Sequence, residues 1–315
     1  MNGKIAVSAC LVIIFSFSVW VIFVNFFPDY VTLNEREFFI KKVDLQKSRI
    51  FLLGASGVGS LNTTMINQEI GSLSSSIIVY NLAKGGDLPE KRIHTLNEII
   101  NQKPELIVYG IDFRDFESEE KFNLLPSPNE FIADKLSPED YSMDPFLFNP
   151  RLVTQQAIQR IANEIGIHDE IQDYTTPYAP LISLENLDKI ASEKELESEY
   201  KKLGLIGLKI DNSTNNKNLQ SLKKMIKTFQ ENNIKIVLFT IPHHKNFFYG
   251  LNHIEEEKFE NILKSLEEEY KIDVYFINHK YENLPIWANV NHVAYNTNAV
   301  IYTKDVISII LNQIN

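Results

Sequence analysis

The chain has 315 residues, with 41 acidic and 31 basic side chains and a formal net charge of −10. This acidic balance, without an offsetting run of Lys or Arg, excludes the electrostatic footprint of a nucleic-acid-binding protein. The single cysteine, Cys10, excludes an intrachain disulfide and does not decide the cellular compartment. The length suits one large α/β domain or two small ones.

The first apolar segment, residues 5–27, contains no charged side chain. As a helix it is long enough to span a lipid bilayer, which takes roughly 20 residues. Lys4 precedes the segment and Pro28-Asp29 follows it, so the positive-inside rule predicts a cytoplasmic N-terminus and an extracytoplasmic remainder. A cleaved signal peptide is the alternative. We favour an uncleaved anchor because no small-residue cleavage site follows the apolar core.

The rest of the chain alternates between short apolar runs and segments of helical periodicity. This alternation is typical of a parallel sheet with both faces covered. The predicted strands are Ile50–Leu53, Ser76–Leu82, Glu105–Gly110, Ile234–Ile241 and Ile272–Ile277. The predicted helices between and after them are Leu61–Ile70 (ended by Gly71), Pro89–Gln102, Asn218–Glu231, Glu255–Tyr270 and Ala299–Ile314. We therefore predict a three-layer α/β/α sandwich with a five-stranded parallel sheet.

The predicted organisation has three parts. Residues 1–28 form the anchor, residues 29–48 a juxtamembrane linker, and residues 49–315 the α/β domain. Inside that domain a helical insertion at about 117–216 interrupts the strand–helix alternation, with helices expected around Pro150–Ile165 and Asn186–Leu203. An insertion at this point either shapes a pocket over the sheet edge or forms a surface for a partner, and the sequence leaves both open.

The glycine-rich turn that follows the first strand invites comparison with nucleotide-binding loops. A P-loop needs a Lys-Ser/Thr pair after its second glycine, but Gly59 is followed by Ser60-Leu61. The dinucleotide pattern G-x-G-x-x-G also fails from Gly57, because position 62 is Asn. A dinucleotide site stays as a minor alternative.

A serine nucleophile is the stronger interpretation of the same turn. Ser56 would stand at the C-terminal edge of the sheet, where open α/β folds bind ligands. A serine nucleophile needs a base, and the base needs an orienting group. His292 and Asn289, three residues apart in the loop before the last helix, supply both types of side chain at the same edge. The alternatives are a helix N-cap for Ser56 and a capping histidine for His292.

Taken together, these segments resemble the SGNH (GDSL-like) hydrolase family over residues 50–116 and 234–312. Four motif blocks occur in the family's order: Gly54-Ala55-Ser56, Asn81-Leu82-Ala83-Lys84-Gly85-Gly86, Gly110-Ile111-Asp112 and Asn289-Val290-Asn291-His292. The resemblance implies that Ser56, His292 and Asn289 are catalytic. It also implies an oxyanion hole made by Ser56, by Gly85 or Gly86, and by the residue at position 112, with no cofactor or metal.

Three positions depart from the family pattern. Ala55 replaces an aspartate, Asp112 replaces an asparagine that donates to the oxyanion, and Asn289 replaces the aspartate that holds the histidine. A carboxylate at 112 helps an oxyanion only when it is protonated, because the ionised form has no proton to donate. An amide at 289 can orient an imidazole but stabilises imidazolium less than a carboxylate does. Either a retuned active site or a non-catalytic relative of the family fits these changes.

The anchor and the motif blocks together resemble membrane-anchored members of this family, such as the D-alanylation and alginate-acetylation factors that work beside a membrane-bound O-acyltransferase. What the resemblance implies is an esterase or O-acyltransferase acting on a cell-surface carbohydrate or acylated polymer. Membrane lipid around residues 5–27 and a membrane-bound O-acyltransferase are the partners it implies. His243-His244, which follow the fourth predicted strand, are expected to line the pocket or to be exposed, since they lack further ligands at zinc-site spacing.

Overall fold

A computed structural model of the protein describes residues 47–118, 187–202, 208–295 and 300–314, together with Ser18. Apart from Ser18, these residues all belong to one compact unit. Within the described residues, no helix combines the length and apolar composition needed to cross a membrane. The predicted anchor except Ser18, nearly all of the predicted linker and the predicted helix at Pro150–Ile165 lie outside the described residues.

Five parallel strands form the central sheet, as predicted. They are β1 Ser48–Gly54, β2 Ile77–Asn81, β3 Leu106–Ile111, β4 Lys235–Thr240 and β5 Val274–Tyr275. Their order across the sheet is β2-β1-β3-β4-β5, and every neighbouring pair is parallel. The six residues of β3 are all buried, which explains their continuous apolar run: both faces of this strand are covered.

Helices flank the sheet in two groups. They are α1 Ser56–Gly59, α2 Thr63–Leu73, α3 Pro89–Arg92, α4 Leu96–Asn101, α5 Glu193–Lys202, α6 Lys217–Glu231, α7 Lys245–Phe248, α8 His253–Tyr270 and α9 Val300–Ile314. Helix α2 packs against α9, whereas α6 packs against α3 and α8. Right-handed crossovers require this division, because the chain moves from β1 to β2 in one direction and from β2 to β3 in the other.

Three predicted helices differ clearly from the observed ones. The helix expected around Asn186–Leu203 begins only at Glu193, because residues 187–192 form a turn and irregular structure. The helix predicted to end at Gly71 continues to Leu73. An exposed glycine inside a helix weakens the helix but does not by itself end it. The helix predicted over Pro89–Gln102 is divided by a 3-10 turn at Ile93–Thr95. There the Thr95 hydroxyl donates to the carbonyl of Arg92 at 3.1 Å, a local bond that competes with regular helix geometry.

The reversal in the order in which the strands are added defines the place where a site is expected. β1 lies between β2 and β3, so the connections leaving β1 and β3 diverge at their C-terminal ends. Open α/β sheets bind ligands in the crevice at such a switch point. The residues that follow these two strands, Ala55-Ser56 and Asp112, therefore stand at the edge where chemistry is expected.

Candidate active site

The turn after β1 is glycine-rich because the backbone is packed too closely for side chains. Gly54 has φ +130°, and a Cβ there would lie 2.5 Å from the carbonyl oxygen of Gly110. A Cβ on Gly57 would lie 2.4 Å from Cγ2 of Ile241. Close packing within the protein therefore explains why both positions are glycine, and no bound nucleotide is needed to explain them.

Ser56 is the first residue of the short helix α1, and Ala55 occupies the N-cap position. The Ser56 side chain does not cap this helix. Instead its Oγ lies 2.7 Å from Nε2 of His292, a residue 236 positions away in sequence. The N-cap interpretation of Ser56 is therefore wrong, and the side chain is committed to a tertiary contact.

His292 lies on a two-stranded antiparallel hairpin that the sequence analysis treated as a loop. Its strands are β6 Trp287–Asn289 and β7 His292–Val293, and Asn289 is paired with His292 across the hairpin. This pairing brings the amide of Asn289 beside the ring, with Nδ1 of His292 and Oδ1 of Asn289 2.8 Å apart. The three predicted catalytic side chains thus form one hydrogen-bonded series, Ser56–His292–Asn289.

The hydrogen bonds also decide which ring nitrogen carries the proton. Oδ1 of Asn289 accepts from the backbone N–H of Asn291 at 3.0 Å. Because a backbone N–H can only donate, this bond fixes which end of the Asn289 amide is the oxygen. A carbonyl oxygen can only accept, and Nδ1 of His292 must therefore be protonated. Nε2 is left with its lone pair directed to the Ser56 hydroxyl, which is the tautomer a general base requires.

The ionisation state of His292 fits the same role. Its ring is nearly fully buried, at 9% exposure. Burial lowers the pKa of His292 to about 4, and the nearby Asp112 carboxylate acts in the opposite direction. At neutral pH the imidazole is consequently neutral and able to accept a proton from Ser56.

Asp112 follows β3 and is ionised, contrary to what an oxyanion donor needs. Burial by itself raises the pKa of Asp112, but His243, Arg114 and the backbone N–H of Arg114 together lower it to about 2. Its Oδ1 accepts from that N–H at 3.2 Å and lies 3.5 Å from Nε2 of His243. Because the carboxylate has no proton at neutral pH, the predicted oxyanion contact from Asp112 does not fit this structure.

The other predicted oxyanion donors lie on the loop after β2. Gly85 and Gly86 are exposed there, and Gly86 adopts φ +64°. The backbone N–H of Lys84 donates to the carbonyl of Gly54 at 3.0 Å, which ties this loop to the turn that carries Ser56. Within the described part of the chain, the N–H groups of the two glycines donate to no protein acceptor. Among the described residues no hydrogen bond joins either glycine to Ser56 or His292, and their role as oxyanion donors stays a prediction.

The C-terminal part of the insertion supports the histidine hairpin. Glu199 on α5 accepts a hydrogen bond from the backbone N–H of Val290 at 3.2 Å. The N–H of Ala191 donates to the carbonyl of Trp287 at 2.8 Å, and the N–H of Tyr295 donates to the carbonyl of Leu187 at 2.6 Å. These bonds place residues 187–199 of the insertion against the segment that holds Asn289 and His292.

His243 and His244 are both buried, so of the two predicted alternatives, pocket-lining or exposed, the exposed one is wrong. The ring of His243 stacks on Phe247 with centroids 3.9 Å apart. His244 is the N-cap of α7, where its Nδ1 accepts from the N–H of Asn246 at 3.2 Å. Among the described residues, no group of three or more His, Cys, Asp or Glu side chains could hold a metal ion.

Tyr302 was not predicted as a neighbour of the site, whereas His243 was expected either to line the pocket or to be exposed. His243 follows the end of β4 much as Asp112 follows the end of β3, and that strand-end position was the available signal. Tyr302 on α9 donates through its hydroxyl to the carbonyl of Gly57 at 3.3 Å. An aromatic residue inside an apolar helix carries no sequence signal for such a contact.

Comparison with known proteins gives only distant structural likenesses. No family model matches the chain, and no curated protein matches it in sequence. An acetyl xylan esterase is 10% identical, with a TM-score of 0.43, over 85% of this chain and 100% of that one. A GDSL-like lipase from Bacteroides thetaiotaomicron is 9% identical, with a TM-score of 0.40, over 90% of this chain and 97% of that one. Both TM-scores are below 0.5, so neither likeness by itself establishes a shared activity.

Proposed function

We propose that the protein is a serine esterase or O-acyltransferase of the SGNH type. The observation that carries this proposal is the Ser56–His292–Asn289 series, with distances of 2.7 and 2.8 Å. A serine hydroxyl in contact with the free lone pair of a neutral imidazole, itself held by a third side chain, is the arrangement of nucleophilic acyl transfer.

The reaction proceeds in two steps, acylation of Ser56 and transfer of the acyl group from Ser56 to water or an acceptor. Ser56 Oγ attacks the carbonyl carbon of an ester while its proton moves to Nε2 of His292, and the substrate oxygen becomes an oxyanion. The oxyanion is held by backbone N–H groups of Ser56 and of Gly85 or Gly86. Collapse releases the alcohol, which takes the proton from His292. Water, or an acceptor hydroxyl, then attacks the acyl-serine by the same proton route and frees Ser56.

The cellular setting of the proposal rests on the sequence. The uncharged segment 5–27 supports a membrane anchor with the α/β domain on the extracytoplasmic side. Extracytoplasmic acyl esters attached to surface carbohydrate are then the substrate class, and a membrane-bound O-acyltransferase is the partner that would supply or receive the acyl group.

A non-catalytic, polymer-binding or scaffolding domain is the second candidate. The ionised Asp112 favours it, because a negative charge at the family's oxyanion position opposes the charge that develops on the substrate. Covalent labelling separates the two candidates.

The purified full-length protein in detergent should form a covalent adduct with a fluorophosphonate probe. The probe reacts with a serine only when a base activates it and donors hold the oxyanion, so peptide mapping should place the adduct on Ser56. Heat-denatured protein provides the control and should remain unlabelled. Correctly folded protein that takes up no probe would support the non-catalytic candidate.

The rate of this labelling should depend on pH with a midpoint near pH 4. Protonated His292 cannot accept the Ser56 proton, and its pKa is about 4. Labelling should therefore be constant from neutral pH down to about pH 5 and should decline as pH falls through 4. Rates are measured over short exposures with folding checked by circular dichroism. A midpoint near 6.5, the ordinary value for histidine, would contradict the buried, neutral ring.

A further inference from the structure

The site lacks the charge that usually supports a catalytic histidine. When His292 takes the proton from Ser56 it becomes a buried imidazolium, and a buried charge without compensation is costly. Asn289 accepts from Nδ1 of the ring but is neutral. The compensating negative charge must come from another side chain, and the described residues around His292 offer one carboxylate that interacts with the ring, Asp112.

Sheet register places Asp112 beside the nucleophile. Gly54 of β1 is paired with Gly110 of β3, and Ser56 and Asp112 each lie two residues beyond this pair. Both therefore leave neighbouring strands at the same edge, at the switch point of the sheet. Nε2 of His292 is 2.7 Å from Oγ of Ser56, so the ring contacts the residue at the strand end that neighbours Asp112.

The carboxylate of Asp112 accepts a hydrogen bond from the backbone of the turn that follows it. Asp112 caps the 3-10 turn Phe113–Phe116: its side chain accepts from the N–H of Arg114, and its own N–H donates to Oδ2 of Asp115 at 2.8 Å. On the neighbouring strand end, Nε2 of His243 lies 3.5 Å from Oδ1 of Asp112. The hydrogen bond from the Arg114 N–H orients the carboxylate, which can therefore act as a charge at a constant position.

The charged and titratable groups near this pair are distributed over four segments. Arg114 and Asp115 come from the 3-10 turn, His243 from the end of β4, Tyr302 from α9, and Glu199 of α5 faces the hairpin backbone at Val290. Burial and the Asp112 charge raise the pKa of Asp115, so the negative charge of these two acids is concentrated on Asp112. Arg114 and His243 oppose protonation of His292, whereas the Asp112 charge favours it.

We propose that Asp112 is a positioning residue of the site: its carboxylate, not the side chain at 289, supplies the negative charge that stabilises the His292 imidazolium. The proposal rests on the proposed acyl-transfer function. The proton still moves only between Ser56 Oγ and His292 Nε2, and Asp112 stays ionised throughout. In this arrangement the orienting role and the charge-supplying role of a triad aspartate are divided between Asn289 and Asp112.

A four-member mutant cycle tests the division: wild type, Asp112→Asn, Asn289→Asp, and the double variant. Asparagine at 112 keeps the helix-cap acceptor, so folding should be preserved. Asp112→Asn should slow fluorophosphonate labelling by about 10- to 100-fold, since it leaves the imidazolium without a carboxylate. The double variant, with the charge returned to position 289, should recover most of that loss. Asp211→Asn is the matched control, because Asp211 likewise accepts a backbone N–H, from Ser213 at 2.9 Å.

Two results for Asp112→Asn would overturn the proposal. If Asp112 acts only by repelling the oxyanion, Asp112→Asn would create a donor and accelerate labelling, and the proposal would be overturned. Equal labelling rates in wild type and Asp112→Asn would also overturn it.

A second readout does not require activity. The ring of His292 is titrated by NMR in protein with isotope-labelled histidines, with the His292→Asn spectrum used for assignment. The measurement uses an Asn289→Asp background, in which the added carboxylate should raise the pKa of His292 toward neutral pH and away from acid unfolding. In that background Asp112→Asn should lower the pKa of His292 by about 1 unit, the shift expected from losing one nearby charge. An unchanged pKa overturns the proposal. If the wild type takes up no probe but the pKa shift is present, the charge coupling stands and the proposed function fails.

Discussion

Replacing Ser56 with alanine should reduce ester turnover by about 10⁴-fold or more, the effect of removing a nucleophile from a serine–histidine site. No other hydroxyl is in contact with Nε2 of His292 among the described residues. His292 has no proton to abstract from alanine, so the acyl-enzyme cannot form. Hydrolysis of p-nitrophenyl acetate by the full-length protein measures the loss directly.

Ser60→Ala is the matched control for this substitution. Ser60 lies just beyond the same turn, is buried, and donates through Oγ to the carbonyl of Gly57 at 2.7 Å. Its loss should cost about 1 kcal/mol of stability and leave most of the turnover. Equal turnover by wild type and Ser56→Ala would show that the measured hydrolysis occurs elsewhere, and the nucleophile assignment would fall.

Gly54→Ala should destabilise the fold by about 3 kcal/mol or more, the largest stability effect we expect from a single methyl group in this protein. At φ +130° an L side chain is strained, and the added Cβ would lie 2.5 Å from the carbonyl oxygen of Gly110 and 2.8 Å from Cγ2 of Val58. The backbone atom cannot move without separating β1 from β3. Urea unfolding followed by circular dichroism measures the difference.

Gly71→Ala makes the same chemical change in open space. No atom lies within 4 Å of a Cβ at Gly71, which is on the exposed surface of α2. Alanine there should stabilise the protein by about 0.5–1 kcal/mol, because it restricts the unfolded chain and favours the helix. A Gly54→Ala variant as stable as wild type would mean that the turn carrying Ser56 can relax. In that case the position of Ser56 Oγ would not be imposed by the sheet.

The effects of Ser56→Ala and Gly54→Ala are connected, because both residues lie where β1 ends and α1 begins. The close approach of β1 and β3 leaves no room for a side chain at Gly54, and the side chains of Val58 and Phe239 leave none at Gly110. The pairing of these two glycines sets Ser56 and Asp112 on adjacent strand ends. Steric demands of the sheet thus place both the nucleophile and the charge proposed to support its base. Substitutions that open this turn should reduce stability and activity together.

Much of the fold could be predicted from local patterns. The apolar runs of β1, β3 and β4 are buried on both faces, and this need for complete burial marks them as central strands in the sequence. The bounds of α2 and the division of the helix after Pro89 could not be predicted in the same way. They depend on local side-chain bonds, such as that of Thr95 to Arg92, whose geometry a periodic pattern does not encode.

The sequence by itself determined the five-strand alternation and the choice of Ser56, His292 and Asn289 as partners, because strand ends and loop order follow from burial and chain direction. Only the tertiary structure decided that Asn289 and His292 face each other on a hairpin, that Asp112 is ionised, and that His243 is buried beside it. The state of Asp112 and the burial of His243 depend on a contact between residues 131 positions apart, and the hairpin is held by residues 187–199 of the insertion. The desolvation and charge that such contacts create have no counterpart in any local pattern of residues.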